Sequence, residues 1–211
     1  MSLEIRGLRK SYDGRTVLDG FDLDVRPGEF VALLGPNGSG KSTALRCAVG
    51  LERPDAGEIT SAPAAMVFQG IHLVRRRTAL DNVCTGALGR LPLRRSFFFP
   101  NTLRSEAMEC LDRVGLADRA AERCARLSGG QQQRVAIARA LCQRAEVILA
   151  DEPVSALDPA AAAQVVELLR QLASDGLAVV AVLHQPELAH CYAHRIVALH
   201  NGKAASPEVT R

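Results

Sequence analysis

The sequence predicts an α/β fold with a mainly parallel sheet, and three observations carry that prediction. Apolar runs of strand length recur at Phe30–Leu34, Val147–Ala150 and Val179–Leu183 without polar alternation, the pattern of strands covered on both faces. Each run is followed, directly or after a short connection, by a segment that reads as helix: Ser42–Gly50, Pro159–Ala173 and Pro186–Ala193. A glycine-rich loop lies between the first strand and its helix.

Taken in order, Ser2–Val25 holds short apolar and polar runs broken at Asp13-Gly14, a turn signal. Pro27-Gly28-Glu29 is a second turn that delivers the chain into Phe30–Leu34. From about Gln69 to Arg144 the pattern turns helical. Ser105–Val114 sets Ala107, Leu111 and Val114 on one face, and Gln132–Gln143 does the same with Val135, Ile137 and Leu141. Strands return at Val147 and end with Ile196–Leu199. The expected organisation is one domain, with a core of about 1–69 and 145–211 and a helical lobe of about 70–144.

At 211 residues, 47% of them apolar, the chain has material for a real core. No apolar run approaches the ~20 residues of a membrane-spanning helix. The opening MSLEIRGLRK lacks a signal-peptide core, so a soluble cytoplasmic chain is expected. Six cysteines, at 47, 84, 110, 124, 142 and 191, form no C-x-x-C and read as small buried hydrophobes. His190 and His194 form an H-x-x-x-H pair with no further ligand evident, expected as one exposed helix face. A net charge of +3 is too small to indicate a nucleic-acid partner. Its distribution is uneven: Arg75–Arg104 holds seven arginines against Asp81, a balance of +6 that leaves −3 elsewhere.

Gly35-Pro36-Asn37-Gly38-Ser39-Gly40-Lys41-Ser42-Thr43 matches the phosphate-binding pattern G-x-x-x-x-G-K-[ST], between a buried strand and a helix as the chemistry requires. Glycines let backbone N–H groups close around phosphate oxygens, and the helix N-terminus adds its positive dipole end. Lys41 is expected to neutralise β- and γ-phosphates of ATP, and the Ser42 hydroxyl to ligate Mg²⁺. Val147–Ala150 ends in Asp151-Glu152. The strand delivers Asp151 towards the metal, and Glu152, pointing elsewhere, suits a general base for the attacking water.

Leu127-Ser128-Gly129-Gly130-Gln131, followed by Gln132-Gln133-Arg134, resembles the signature of the ATP-binding-cassette (ABC) ATPase family. The family's other motifs stand in the same order over nearly the whole chain. The resemblance implies an antiparallel β edge on the core, with Tyr12 as an adenine-stacking aromatic and Gln69 as the Q-loop residue at the Mg²⁺ site. It also implies a D-loop at Ser155-Ala156-Leu157-Asp158, and His184 as the switch histidine on the γ-phosphate. Two copies, expected to be identical, would meet head to tail, each ATP clasped between one P-loop and the other copy's signature. The resemblance further implies a transmembrane permease partner, a solute-binding protein and a place on the cytoplasmic face of the cell membrane.

Within the family, Leu183-His184-Gln185 and the stretch from Leu73-Val74 through Asn82-Val83 to Gly89-Arg90-Leu91-Pro92 resemble the phosphonate-importer ATPases. Alternatives are another solute, lipoprotein release, or a scaffold in a phosphonate-degrading complex. The chain departs from the pattern between Ile59 and Met66, where only a short Ser/Ala/Pro stretch stands in place of a longer hairpin. Phe97-Phe98-Phe99 and the arginines around them fall in the lobe that in this family faces the permease, and suit a partner or anionic headgroups.

Overall fold

The computed structural model describes residues 2–90, 99–204 and 208–209. The predicted turn at Asp13-Gly14 joins β1 (Leu3–Tyr12) to β2 (Arg15–Val25). Both turn residues have positive φ, 48° and 80°, the geometry of a two-residue turn that matches the twist of a hairpin. It fixes the register so that Tyr12 stands directly opposite Arg15. After β3 (Phe30–Leu34), the glycine loop and α1 (Lys41–Ala48), the chain forms β4 (Ala56–Ser61), which pairs antiparallel with β1. Together they make an antiparallel sheet in the order β2-β1-β4, the expected antiparallel element. Where the longer hairpin is missing, β4 runs through Ala62 and Pro63 straight into β5 (Ala64–Val67).

The second sheet is the predicted parallel one. Its remaining strands are β6 (Val147–Ala150), β7 (Ala178–Val182), β8 (Arg195–His200), β9 (Lys203–Ala204) and β10 (Glu208–Val209). The order is β10-β8-β3-β7-β6-β5, parallel from β8 to β5, with β9 and β10 antiparallel to β8. β6 and β7 are buried at every position, which accounts for their lack of polar alternation. Phe21, Val31, Leu33, Leu45, Leu149 and Val180 belong to one apolar cluster, which joins the two sheets and α1.

The described residues fall into two compact units. One comprises the stretch up to Gln69, Glu146–Ser155 and Val166 onwards, and the other Gly70–Ala145 with Ala156–Val165. The second takes in 156–165, a stretch the sequence reading grouped with the core. It contains α2 (Ala79–Cys84), α3 (Asn101–Arg113), α4 (Gly129–Leu141) and the first turns of α5 (Pro159–Ser174). Its interior buries Val83, Leu111, Val135 and Ile137. Buried Asn82 fastens the segment before α2, accepting from Val74 N–H and donating to the Val74 and Thr78 carbonyls.

Several expectations need correction. Five cysteines are buried as expected, but Cys191 is exposed on α6 (Pro186–Tyr192). That helix ends before His194, so His190 and His194 share no helix face. His194 Nδ1 instead accepts the Phe30 N–H at 2.9 Å. Helix α4 begins at Gly129 rather than Gln132, because Ser128 caps it. Leu91, Pro92, Arg94, Arg95, Phe97 and Phe98 lie outside the described residues.

Candidate active site

The parallel strands order the site. The glycine loop follows β3, His184 follows β7, Asp151 and Glu152 follow β6, and Gln69 follows β5, all at the carboxyl edge of one sheet. Loops beyond that edge form the natural crevice of an open parallel sheet. The strand order therefore brings together residues up to 149 positions apart in sequence, Gly35 and His184.

The crevice is a cleft of about 710 Å³, within the range of small-molecule sites. Tyr12, Arg15 and Val17 line one part of its wall, and Asn37, Gly38 and Gly40–Thr43 the loop side. Gln69, Glu152 and His184 complete it. Of the predicted residues, Gly35, Pro36, Ser39 and Asp151 do not line the cleft but support it. The Lys41 ammonium, almost fully buried, donates to the Gly35 and Pro36 carbonyls at 2.8 Å each. Burial lowers its pKa, and the charges of Glu152 and Asp151 push it back up. An ammonium has three donors, so one remains for a ligand. Among the described residues Ser39 Oγ is buried without a hydrogen-bond partner, a need that a polar ligand would satisfy.

Ser42 Oγ donates to Asp151 Oδ1 at 2.7 Å. Burial raises the Asp151 pKa, while the Ser42 hydrogen bond works in the opposite direction. The neighbouring Glu152 takes a left-handed φ of 49°, rare for a residue with a side chain and costing roughly 1 kcal/mol or more. This turn of the backbone aims Glu152 into the cleft while Asp151 stays beneath it. Glu152 Oε1 lies 2.6 Å from His184 Nε2. The Gln69 amide donates to Ser155 Oγ at 3.5 Å, and Ser155 Oγ to the Glu152 carbonyl at 3.2 Å. Ser42 and Asp151 thus meet, while Gln69 is engaged with Ser155. Their hydroxyl, carboxylate and amide oxygens are hard donors that suit Mg²⁺. Among the described residues no group of three or more His, Cys, Asp or Glu forms a metal cluster.

Tyr12 is held in two ways. Its hydroxyl donates to Glu52, and Lys10 Nζ stands 5.3 Å from its ring centroid. Tyr12 lines the cleft and Lys10 does not, so Lys10 covers the ring from outside. Arg15 and Val17 were missed in the sequence reading. The signal was there: a two-residue turn sets Tyr12 and Arg15 opposite each other, and Val17 follows on the same face.

The signature lies in the second unit, where a reciprocal capping box starts α4. Ser128 Oγ accepts from Gln131 N–H at 3.3 Å, and Gln131 Oε1 accepts from Ser128 N–H at 2.9 Å. Gln132 Nε2 adds a bond to the Leu127 carbonyl at 2.8 Å. The glycines have packing reasons as well. A Cβ on Gly129 would stand 3.1 Å from Leu157 Cδ2, and one on Gly130 3.1 Å from Ala161 Cβ. Leu157 and Ala161 are thus packed against the signature of their own chain, and Asp158 caps α5 by accepting the Ala161 N–H at 2.9 Å.

A glycine cradle between a parallel strand and a helix, with a buried lysine and two carboxylates at the end of β6, two strands along the same sheet, defines a P-loop ATPase. The family described as ABC transporter matches residues 18–155. The phosphonates import ATP-binding protein of Frankia casuarinae is 46% identical, over 96% of this chain and 88% of that one. The hypophosphite import ATP-binding protein of Stutzerimonas stutzeri is 43% identical over 96% of this chain and 65% of its own. Among solved structures, a dimeric ATP-binding cassette in a post-hydrolysis state bound to ADP and Pi aligns with a TM-score of 0.83. It is 33% identical over 99% of each chain. The chain belongs to the ABC transporter family, as an ATP-binding cassette that hydrolyses ATP. None of its described helices is long and apolar enough to cross a membrane.

Proposed function

We propose that this chain drives the import of a phosphonate or a related phosphorus oxyanion by hydrolysing ATP beneath a membrane permease. The observation that carries the catalytic half of this reading is the cleft itself, where Lys41 and Ser42 face Glu152 and His184. The named activities of the phosphonate and hypophosphite relatives support the solute.

In this reading the loop Gly35–Thr43 wraps the phosphates and Tyr12 stacks on adenine through its cleft-facing side. Lys41 places its remaining donor on the β- and γ-phosphates. Ser42, Asp151 and Gln69 would hold Mg²⁺, which would supply charge neutralisation for the phosphates. Glu152 accepts the proton of a water that attacks the γ-phosphorus, and the bond to the bridging oxygen breaks to give ADP and phosphate. His184, now against Glu152, turns to the γ-phosphate. The signature Leu127–Gln131 of a second, identical copy closes the site, with Ser155–Asp158 beside it. The dimeric cassette in the post-hydrolysis state supports that assembly. A solute-binding protein outside the cell and a place on the cytoplasmic membrane face complete the reading.

The test is growth. A strain lacking the gene should fail on a phosphonate as sole phosphorus source and recover with the wild-type gene but not with Glu152→Gln. Undiminished growth of the deletion strain would remove phosphonate as the solute.

A further inference from the structure

We propose that Arg15 is a nucleotide-binding residue that engages the phosphate nearest the ribose, a role that rests on reading the cleft as the ATP site. Three observations converge on it. Arg15 opens β2 directly opposite Tyr12 across the Asp13-Gly14 turn, so the two side chains leave the hairpin on one face, about 5 Å apart at Cβ. That face is the cleft wall, since Tyr12, Arg15 and Val17 all line it. Among the described residues the Arg15 side chain has no ion pair and no hydrogen bond, a state shared in the same unit by Arg26 and Arg53, but of the three Arg15 is the one that lines the cleft.

An unpaired guanidinium facing a cleft that already holds the Lys41 ammonium adds to a positive field that favours an anion. The carboxylate lining the cleft, Glu152, is engaged by His184. A bound polyphosphate supplies the missing charge, and the fork of guanidinium donors suits phosphate oxygens. Position decides which phosphate. Lys41 serves the β- and γ-phosphates, and Arg15 sits beside the aromatic at the adenine end, so its reach covers the α-phosphate. The contact is the same in ATP and ADP. Arg15 therefore contributes to holding nucleotide through the cycle and leaves the chemical step alone.

Equilibrium titration of ATP, ADP and adenosine into wild type, Arg15→Ala and Arg15→Lys tests this. Arg15→Ala should weaken ATP and ADP by the same factor, about tenfold, as loss of one charge-assisted contact predicts. Adenosine should be unaffected, and Arg15→Lys should recover part of the loss. Arg15 is exposed, so thermal unfolding should not move. Unchanged ATP affinity, or an equal loss for adenosine, would overturn the phosphate contact, and a loss confined to kcat would overturn the binding role. Wild-type protein that binds no ATP would instead sink the reading of the cleft, and the role of Arg15 with it.

Discussion

Gly40→Ala isolates what the glycine loop requires of its backbone. Gly40 is the N-cap of α1, with φ 103° and ψ 3°, a conformation closed to residues with a side chain except under strain. A Cβ there would stand 2.7 Å from Leu18 Cδ2 and 2.8 Å from the Val17 carbonyl oxygen. Ordinary contacts lie near ~3.5–4.0 Å. The leucine methyl can turn aside, but Val17 is sheet backbone and cannot. Strain of about 1–3 kcal/mol at the backbone and about 1–3 kcal/mol from overpacking add to roughly 2–4 kcal/mol after partial relaxation. Gly38 is the internal control: its φ is 77° but nothing lies within 4 Å of a Cβ, so Gly38→Ala should cost only about 1 kcal/mol. Urea unfolding measures both, with the midpoint falling and the slope unchanged. ATP titration should also show weaker binding by Gly40→Ala, because the loop must shift away from Val17. Equal stabilities for the two variants, within about 0.5 kcal/mol, would refute the steric account.

Two further predictions concern the carboxylates. Glu152→Gln preserves the shape of the side chain but removes its basicity. Turnover should drop by about 10²-fold or more while ATP binding persists, and an ATP-dependent dimer should accumulate in gel filtration; near-normal turnover would take Glu152 out of the base role. Asp151→Asn should stabilise the nucleotide-free protein near neutral pH. Burial raises the folded-state pKa of Asp151, so above the usual carboxylate pKa the folded state retains a proton that the unfolded chain has lost. Stability must then fall as pH rises through the window between the ordinary and the raised values. Asparagine still accepts from Ser42 but carries no charge, so its advantage in thermal unfolding should be absent at acid pH and grow towards neutrality. An advantage independent of pH would show that burial of the charge is not the cause.

Much of this site was written locally. The glycine loop, the two acids after an apolar strand and the Ser-Gly-Gly-Gln cap each need only a few neighbouring residues, because backbone φ, strand burial and helix capping are short-range requirements. The same holds for the Asp13-Gly14 turn, whose two positive φ values fix the register of the first hairpin. That register alone places Arg15 opposite Tyr12. The start of α4 at Gly129 was also legible, since a serine followed three residues later by glutamine is a capping box.

Other features depended on segments far apart in sequence. His184 lies 2.6 Å from Glu152 because β6 and β7 are neighbours in the sheet, an order that no local pattern encodes. Tyr12 owes its orientation to Glu52 and Lys10, and the unpaired state of Arg15 could be known only once the side chains around the first hairpin were in place. The sequence alone determined which groups could carry the chemistry, because side-chain type, glycine placement and apolar runs act within a turn or a strand. The tertiary structure decided which of those groups meet and how their charges are shifted, because proximity and burial are properties of strand order and packing.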